Sequence, residues 1–132
     1  PNDSVVNVSG DGSFMMNVQE LATLVRYQLP VKVVLLDNSC LGMVRQWQEL
    51  FLDERYSETD LSDNPDFVKV AESFRIPAKR VQLKSEEEDA VQWLLKQPGP
   101  ALLHVCLDRM ANVWPFVPPG QDNSTMLKGE SL

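Results

Sequence analysis

Two short polar segments carry residues that could bind a charged ligand. Gly10-Asp11-Gly12 follows a β-branched run, and Asp37-Asn38 follows a second apolar run. Glycines in front of a helix leave backbone N–H groups free to bind phosphate. The Asp11 carboxylate would repel a bare diphosphate, and residues 1–25 contain no Lys or Arg to offset its charge. The two segments therefore predict a phosphate ligand that is held through a cation.

Magnesium is the cation that suits these donors. The Asp11 carboxylate, the Asn38 side-chain oxygen and a backbone carbonyl from the turn after Asn38 would give Mg²⁺ three hard oxygen ligands, and diphosphate oxygens and water would complete an octahedron. Other phosphate motifs do not fit, because the pattern GxGxxG fails at Met15 and no GxxxxGK[ST] occurs. The sequence therefore predicts a magnesium diphosphate site without basic side chains.

Strands and helices are predicted to alternate along the chain. Strands are expected at 4–9, 31–36, 80–83 and 101–107, and helices at 14–29, 43–51, 64–75 and 85–96. This order predicts an α/β fold, a Rossmann-like doubly wound parallel sheet with helices on both faces. Ligands bind such sheets at the carboxyl ends of the strands. Asp11 and Asn38 are therefore expected to lie close together.

The predicted helices carry recognisable caps and apolar faces. Asn64 is expected to cap the third helix with Pro65 at its first position, and Ser85 with Glu88 to form a capping box for the fourth. The fourth helix is expected to bury Ala90, Val91, Leu94 and Leu95. The second helix has an apolar stripe, which by default faces the core. The stripe consists of Met43, Val44, Trp47, Leu50 and Phe51.

Length and composition narrow the class of protein. The 132 residues fit one compact domain, divided into residues 1–110 and a Pro-rich tail, 111–132, expected to leave the fold. A net charge of −7 argues against nucleic acid as a partner. No apolar run approaches the ~20 residues of a membrane helix. The absence of an initiator Met predicts a piece of a longer protein, and isolated Cys40 and Cys106 predict reduced thiols and a cytoplasmic location.

The two segments together resemble the thiamin diphosphate motif, which begins with GDG and ends in NN roughly 30 residues later. Asp37 stands in place of the first Asn of that motif. The resemblance narrows to the catalytic subunits of acetolactate synthase (acetohydroxyacid synthase), closest to the bacterial isozyme II type. It is carried nearly end to end by GDGSFMMNVQELAT, LDNSCLGMVRQWQELF, ERYSETDLSDNPDF and NVWPFVPPG.

The resemblance implies a set of site residues. Asp11, Asn38 and the Cys40 backbone carbonyl would bind Mg²⁺, and the backbone amides of Gly12 and Ser13 would meet the diphosphate. The residues that it assigns to cofactor binding are Gly10, Asp11, Gly12, Ser13, Asn38 and Met43. Met43 and Trp47 match positions that line the substrate channel, and Trp47 would help to select 2-oxobutanoate as the second substrate.

The resemblance also implies an activity and partners. Enzymes of this family use thiamin diphosphate and Mg²⁺ to decarboxylate pyruvate and condense the product with a second 2-oxo acid, in branched-chain amino-acid biosynthesis. The full-length parent would also bind FAD, pair with a second catalytic subunit as a homodimer and contact a small regulatory subunit. The family's activating Glu lies in a separate N-terminal domain. We therefore expect no catalytic residue in this chain and no activity from it alone.

Two alternative functions remain open from the residues. One is a non-catalytic interaction module with the same fold, and the other is a part of a different thiamin diphosphate-dependent decarboxylase or oxidase. Other candidate residues have structural explanations. His104 is expected to be a neutral, hydrogen-bonded core residue. The acids at 86–89 suit a first helical turn, and those at 53–63 suit a solvated loop.

Overall fold

The computed structural model describes residues 5–129, which form a four-stranded parallel sheet with helices. The strands are β1 Val5–Gly10, β2 Val31–Asp37, β3 Ala78–Val81 and β4 Ala101–Cys106. The α-helices are α1 Asp11–Met15, α2 Glu20–Arg26, α3 Gly42–Phe51, α4 Phe67–Ser73 and α5 Glu87–Lys96. Short 3-10 helices span Lys84–Glu86 and Asn123–Thr125. The predicted α/β class is confirmed.

The sheet order places the two polar segments side by side. The strands lie in the order β1-β2-β4-β3, all parallel. Gly10 at the end of β1 is opposite Leu36 of β2, and Asp37 is opposite Cys106 of β4. Because parallel strands end at the same edge, Asp11 and Asn38 emerge next to each other.

Two apolar cores cover opposite faces of the sheet, as alternation along buried strands requires. On one face Val33, Leu35 and Leu102 pack with Phe14, Leu21, Phe67 and Ala71 from α1, α2 and α4. On the other face Ala101 and Leu103 pack with Ala90 and Leu94 of α5. Strand β1 lies at the sheet edge, and its Val5, Val6 and Val8 are exposed. Among residues 5–129, no helix is long and apolar enough to cross a membrane.

The predicted first helix, 14–29, is wrong in its extent. The structure has two helices, because α1 begins at Asp11 and ends at Met15, and α2 begins at Glu20. Between them the chain turns through hydrogen bonds of the 3-10 type, from the Met16 amide to Ser13 O and from the Asn17 amide to Phe14 O. This early start places Asp11 in the first helical turn, at the end of β1.

Both predicted caps are shifted along the chain. Asp66, not Asn64, caps α4, since its Oδ1 accepts hydrogen bonds from the amides of Val68 and Lys69. Glu86 replaces Glu88 ahead of α5, and its Oε2 accepts from the Leu83 amide at 3.1 Å. Asn64 is used elsewhere, as described below. Two predicted core residues of α5, Val91 and Leu95, are exposed because the sheet covers only the Ala90 and Leu94 side.

Lys32 is a buried cation at the amino end of β2, the end of the strand away from the polar segments. Its substitution tests how much its hydrogen bonds stabilise the fold. Its Nζ donates to the carbonyl of Gln97 at 2.7 Å and to that of Gly99, and burial lowers the pKa of the ammonium. We expect Lys32→Met to leave both carbonyls unpaired and to lower the free energy of unfolding by about 1–3 kcal/mol. Urea denaturation measures this, with exposed Lys69→Met as the control; equal midpoints for both variants would contradict it.

Candidate functional site

A cavity of about 400 Å³ opens at the carboxyl ends of β1 and β2. Seven of the eight predicted site residues line it, from the β1–α1 junction and from the segment between β2 and α3. They are Gly10, Asp11, Gly12, Ser13, Asn38, Cys40 and Met43. The structure therefore brings together two segments that are more than twenty residues apart in the sequence. Trp47 is not among the residues that line this cavity.

Asp11 carries a buried carboxylate whose side-chain hydrogen-bond partner is a neutral amide. Its exposed fraction is 3%, and its Oδ2 accepts a hydrogen bond from Asn64 Nδ2 at 3.1 Å. None of the ion pairs among residues 5–129 includes it. Burial raises the pKa of Asp11, and the neighbouring carboxyl of Asp37 raises it further. A cation at this carboxylate would offset both the loss of solvation and the repulsion from Asp37.

The segment after β2 is a tight, hydrogen-bonded turn. Asp37 Oδ1 accepts from the Ser39 amide at 2.8 Å and from Ser39 Oγ at 3.2 Å. Ser39 has a φ of +51°, a left-handed conformation that non-glycine residues rarely adopt. The turn presents the Asn38 side chain and Cys40 to the cavity.

The loop between α3 and α4 packs against this turn. The Leu41 amide donates to Thr59 O at 2.9 Å, and the Leu61 amide donates to Ser39 O at 3.0 Å. Cys40 forms an isolated bridge with Asp60. The acidic loop at 53–63, predicted to be solvated, does expose all five of its carboxylates, but its backbone also supports the site.

Gly42 is needed because of the Asn38 side chain. A Cβ at position 42 would lie 2.7 Å from Asn38 Nδ2, closer than such contacts occur. Any larger residue would push this amide from its place beside the cavity. At Gly12 an added Cβ would lie 3.1 Å from the Leu41 side chain, which is also tight. Both glycines therefore keep space for groups that line the cavity.

His104 was expected to be a core residue, and it is buried, but it also contacts the site. Its Nε2 lies 2.7 Å from Asp37 Oδ2, and its Nδ1 lies 3.2 Å from Arg80 Nε. Burial alone would raise the pKa of Asp37, but hydrogen bonds from His104 and Ser39 outweigh it and leave that pKa lowered. No local sequence pattern marks this contact, because the two side chains come from strands more than sixty residues apart.

Helix α3 is turned opposite to the prediction. Its apolar residues Met43, Val44, Trp47 and Phe51 are between 42% and 50% exposed, whereas Arg45, Gln46 and Gln48 are buried. The polar side chains are buried because they bind backbone groups of the flanking segments. Gln46 exchanges two 3.0 Å hydrogen bonds with Val113, and Gln48 pairs in the same way with Ser57. The apolar stripe therefore faces away from this chain's cores.

The Pro-rich tail, residues 111–132, was predicted to leave the fold, but it packs on α3. Arg45 pairs with Glu49 at 2.6 Å and donates to Asn112 and to the carbonyl of Met110. Phe116 is buried, and its ring centroid lies 6.3 Å from that of Trp47. Trp47 therefore lies in an aromatic cluster at the tail, one turn along α3 from Met43.

A metal at the cavity would depend on oxygen ligands of mixed origin. Among residues 5–129, no group of three or more His, Cys, Asp or Glu side chains is arranged to hold a metal. The lining residues that could supply such oxygens include Asp11 through its carboxylate, Asn38 through its amide and Cys40 through its backbone carbonyl. This donor set suits a hard cation that also takes oxygens from a bound anion.

The parallel sheet, with a cavity at the carboxyl ends of its strands, has the architecture of a doubly wound α/β domain, the kind that binds ligands at this edge. Residues 1–105 match the family described as thiamine pyrophosphate enzyme, C-terminal TPP binding domain. The chain belongs to this family, and its fold class and its domain type are thereby confirmed.

Individual relatives show which members of this family the chain resembles. The chain is 60% identical over 128 residues to the acetolactate synthase isozyme 2 large subunit of Escherichia coli (strain K12), covering 97% of this chain and 23% of that protein. It is 44% identical to the acetolactate synthase large subunit of Pyropia yezoensis, covering 96% of this chain and 22% of that protein. The chain thus spans less than a quarter of the length of these relatives.

A solved structure shares the fold. It is a thiamine diphosphate-dependent 4-hydroxybenzoylformate decarboxylase from Rhodococcus jostii RHA1, with a TM-score of 0.75 and 24% sequence identity. The similarity covers 82% of this chain and 20% of that chain. It supports the architecture of the sheet and helices.

Proposed function

We propose that this chain supplies the Mg²⁺–diphosphate half of the cofactor site in an acetolactate synthase catalytic subunit. The single observation that carries the proposal is the convergence of Asp11, Asn38 and Cys40 on one cavity in a chain of the TPP-binding family. The identity to acetolactate synthase large subunits favours this enzyme over other thiamin diphosphate-dependent decarboxylases or oxidases.

The residues present fit a divalent cation and a diphosphate. The Asp11 carboxylate is buried next to a second carboxyl and forms no ion pair within residues 5–129, an arrangement that is unfavourable unless a cation binds there. Asn38 and Cys40 line the same cavity, and the Asn38 amide and the Cys40 backbone carbonyl would add neutral oxygens. A thiolate is too soft for Mg²⁺, so Cys40 would bind through its backbone.

Each residue has a defined part in this proposal. Asp11, Asn38 and the Cys40 carbonyl would hold Mg²⁺, and the backbone amides of Gly12 and Ser13 would donate to the diphosphate. Gly10 would let the backbone approach it. Met43 lines the same cavity and would lie beside the cofactor. Bound thiamin diphosphate would supply the electron sink for decarboxylation of a 2-oxo acid.

The exposed face of α3 supports the proposed partners. A soluble domain rarely leaves a contiguous apolar patch uncovered. Met43, Val44, Trp47 and Phe51 would be covered by other domains of the catalytic subunit or by a second catalytic subunit, with Trp47 facing the route for pyruvate and 2-oxobutanoate. FAD would bind to a part of the parent outside residues 1–132, and the parent would also contact a small regulatory subunit.

Calorimetry of the chain with thiamin diphosphate tests the proposal. We expect binding that requires Mg²⁺ and disappears with chelator, together with no acetolactate formation by the chain alone. Equal binding with chelator would contradict the cation bridge, and turnover would show that no essential group is missing. A folded chain that gives no heat but self-associates in light scattering would favour the interaction module, which the α3 face also allows.

A further inference from the structure

A line of polar side chains connects Asp37 to the far edge of the sheet. His104 Nε2 contacts Asp37 Oδ2 at 2.7 Å, and Arg80 Nε donates to His104 Nδ1 at 3.2 Å. Arg80 Nη2 in turn donates to Asp66 Oδ1 at 2.7 Å. We call these four residues the His104 relay. They come from β2, β4, β3 and the N-cap of α4, so the relay ties three strands and a helix to the turn beside the cavity.

Arg80 determines which ring nitrogen of His104 carries hydrogen. A guanidinium donates hydrogen bonds and accepts none, so Nδ1 must be the acceptor. The hydrogen of the neutral ring is therefore on Nε2, which donates to Asp37 Oδ2. Phe67 packs edge-on against the imidazole, with centroids 5.4 Å apart and planes at 81°, and holds the ring in this orientation.

Asp37 must accept hydrogen bonds with both of its oxygens. Oδ2 accepts from His104, while Oδ1 accepts from the amide and hydroxyl of Ser39. The second interaction holds Ser39 at its left-handed φ of +51° and so shapes the turn that carries Asn38 and Cys40. A side chain that accepts on both sides is a carboxylate and not an amide.

We propose that His104 and Arg80 are positioning residues that act through Asp37 to hold Asn38 and Cys40 in the geometry for cation binding. This inference rests on the proposed function for the role of those two ligands. Each donor in this line meets an acceptor: Arg80 Nε–H donates to His104 Nδ1, and His104 Nε2–H donates to the Asp37 carboxylate.

The substitution Asp37→Asn would conflict with this arrangement. The oxygen of the new side-chain amide would keep the hydrogen bonds from Ser39. Its NH₂ group would then face the Nε2–H of His104, so that two donors meet without an acceptor. Moving that hydrogen to Nδ1 would only create a second conflict, with Arg80 Nε–H. Arg80→Gln removes the second conflict, because the Gln amide can turn to accept and its oxygen stands as many bonds from Cα as Arg Nε. Arg80→Lys keeps a donor-only group, one bond farther from Cα than Arg Nε, and does not remove the second conflict.

Nitrogen NMR of the imidazole tests the relay without any ligand, because His104 is the only histidine of the chain. We expect one imidazole with Nε2 protonated and Nδ1 unprotonated in the unsubstituted chain, and the reverse in Asp37→Asn/Arg80→Gln. Protonated Nδ1 in the unsubstituted chain would overturn the inference. The amide signals of residues 38–41 report the turn, and we expect Asp37→Asn to shift them and the added Arg80→Gln to restore them.

Binding of Mg²⁺–thiamin diphosphate tests the consequence for the site. Asp37→Asn is expected to weaken binding by about tenfold, the effect of one lost buried hydrogen bond. Asp37→Asn/Arg80→Gln should bind within about threefold of Arg80→Gln alone, whereas Asp37→Asn/Arg80→Lys should stay as weak as Asp37→Asn. Equal rescue by Gln and Lys, or no rescue by either, would overturn the inference.

The two proposals fail in different ways. If the unsubstituted chain binds no thiamin diphosphate with Mg²⁺, the proposed function is overturned, and the NMR of residues 38–41 then decides the relay alone. Unchanged amide signals in Asp37→Asn would overturn the relay even where the cofactor binds normally. Thermal unfolding of each variant shows that the comparison is made between folded proteins.

Discussion

Asp11→Ala is expected to abolish magnesium-dependent binding of thiamin diphosphate to this chain. Asp11 is the one charged ligand that the cavity offers among its proposed donors, and removing one partner of a buried charge pair costs roughly 3 kcal/mol or more, a loss of at least about 100-fold in affinity. Calorimetry at fixed Mg²⁺ concentration measures this. Asp11→Asn, which keeps the shape and removes the charge, separates the charge from the contact with Asn64.

The control for this substitution is Asp89→Ala, because Asp89 is an exposed carboxylate in the first turn of α5. It removes the same charge from the chain and should leave binding unchanged. Without metal, Asp11→Ala should also fold at least as well as the unsubstituted chain, since burial and Asp37 make the ionised Asp11 unfavourable there. Undiminished cofactor binding by Asp11→Ala would refute the cation bridge.

Phe67→Ala is expected to cause the largest loss of stability. Phe67 is 0% exposed, and its ring packs edge-on against Phe14 at 5.7 Å and against His104 at 5.4 Å. Removing a buried Phe ring costs about 3–5 kcal/mol, a large part of the roughly 5–15 kcal/mol that holds a typical domain folded. Urea denaturation measures the loss as a lower midpoint.

Tyr27→Ala provides the matched control for Phe67→Ala, since it also removes an aromatic ring but from a side chain that is 66% exposed. We expect this variant to differ from the unsubstituted chain by less than about 0.5 kcal/mol. Phe67→Leu should cost less than Phe67→Ala because the cavity left behind is smaller. Similar midpoints for Phe67→Ala and Tyr27→Ala would show that this core does not hold the sheet and α4 together.

Much of the fold follows from local sequence patterns. Continuous apolar runs such as 31–36 and 101–107 predict buried parallel strands, and all four predicted strands overlap the observed ones. The closeness of Asp11 and Asn38 also follows, because parallel strands end at one edge of the sheet. Boundaries were less well predicted, since caps depend on which side chain reaches the free amides. Asp66 does so at α4, and Asn64 binds Asp11 instead.

The orientation of α3 could not be predicted from its pattern. Periodicity shows that one side of a helix is apolar, but it does not show what covers that side. Here the buried side is polar because Arg45, Gln46 and Gln48 donate to backbone carbonyls at residues 110, 113 and 57. Such contacts join residues up to 67 positions apart, as Gln46 and Val113 are, and no local signal marks them.

The sequence by itself determined the parallel α/β sheet, the two polar segments at its strand ends and the chemistry that those segments could perform, because these depend on residue types over short distances. Only the tertiary structure decided that Asn64 holds Asp11, that His104 and Arg80 hold Asp37, and that α3 turns its apolar face outward. The physical reason is that hydrogen-bond partners and burial depend on which distant segments meet in space.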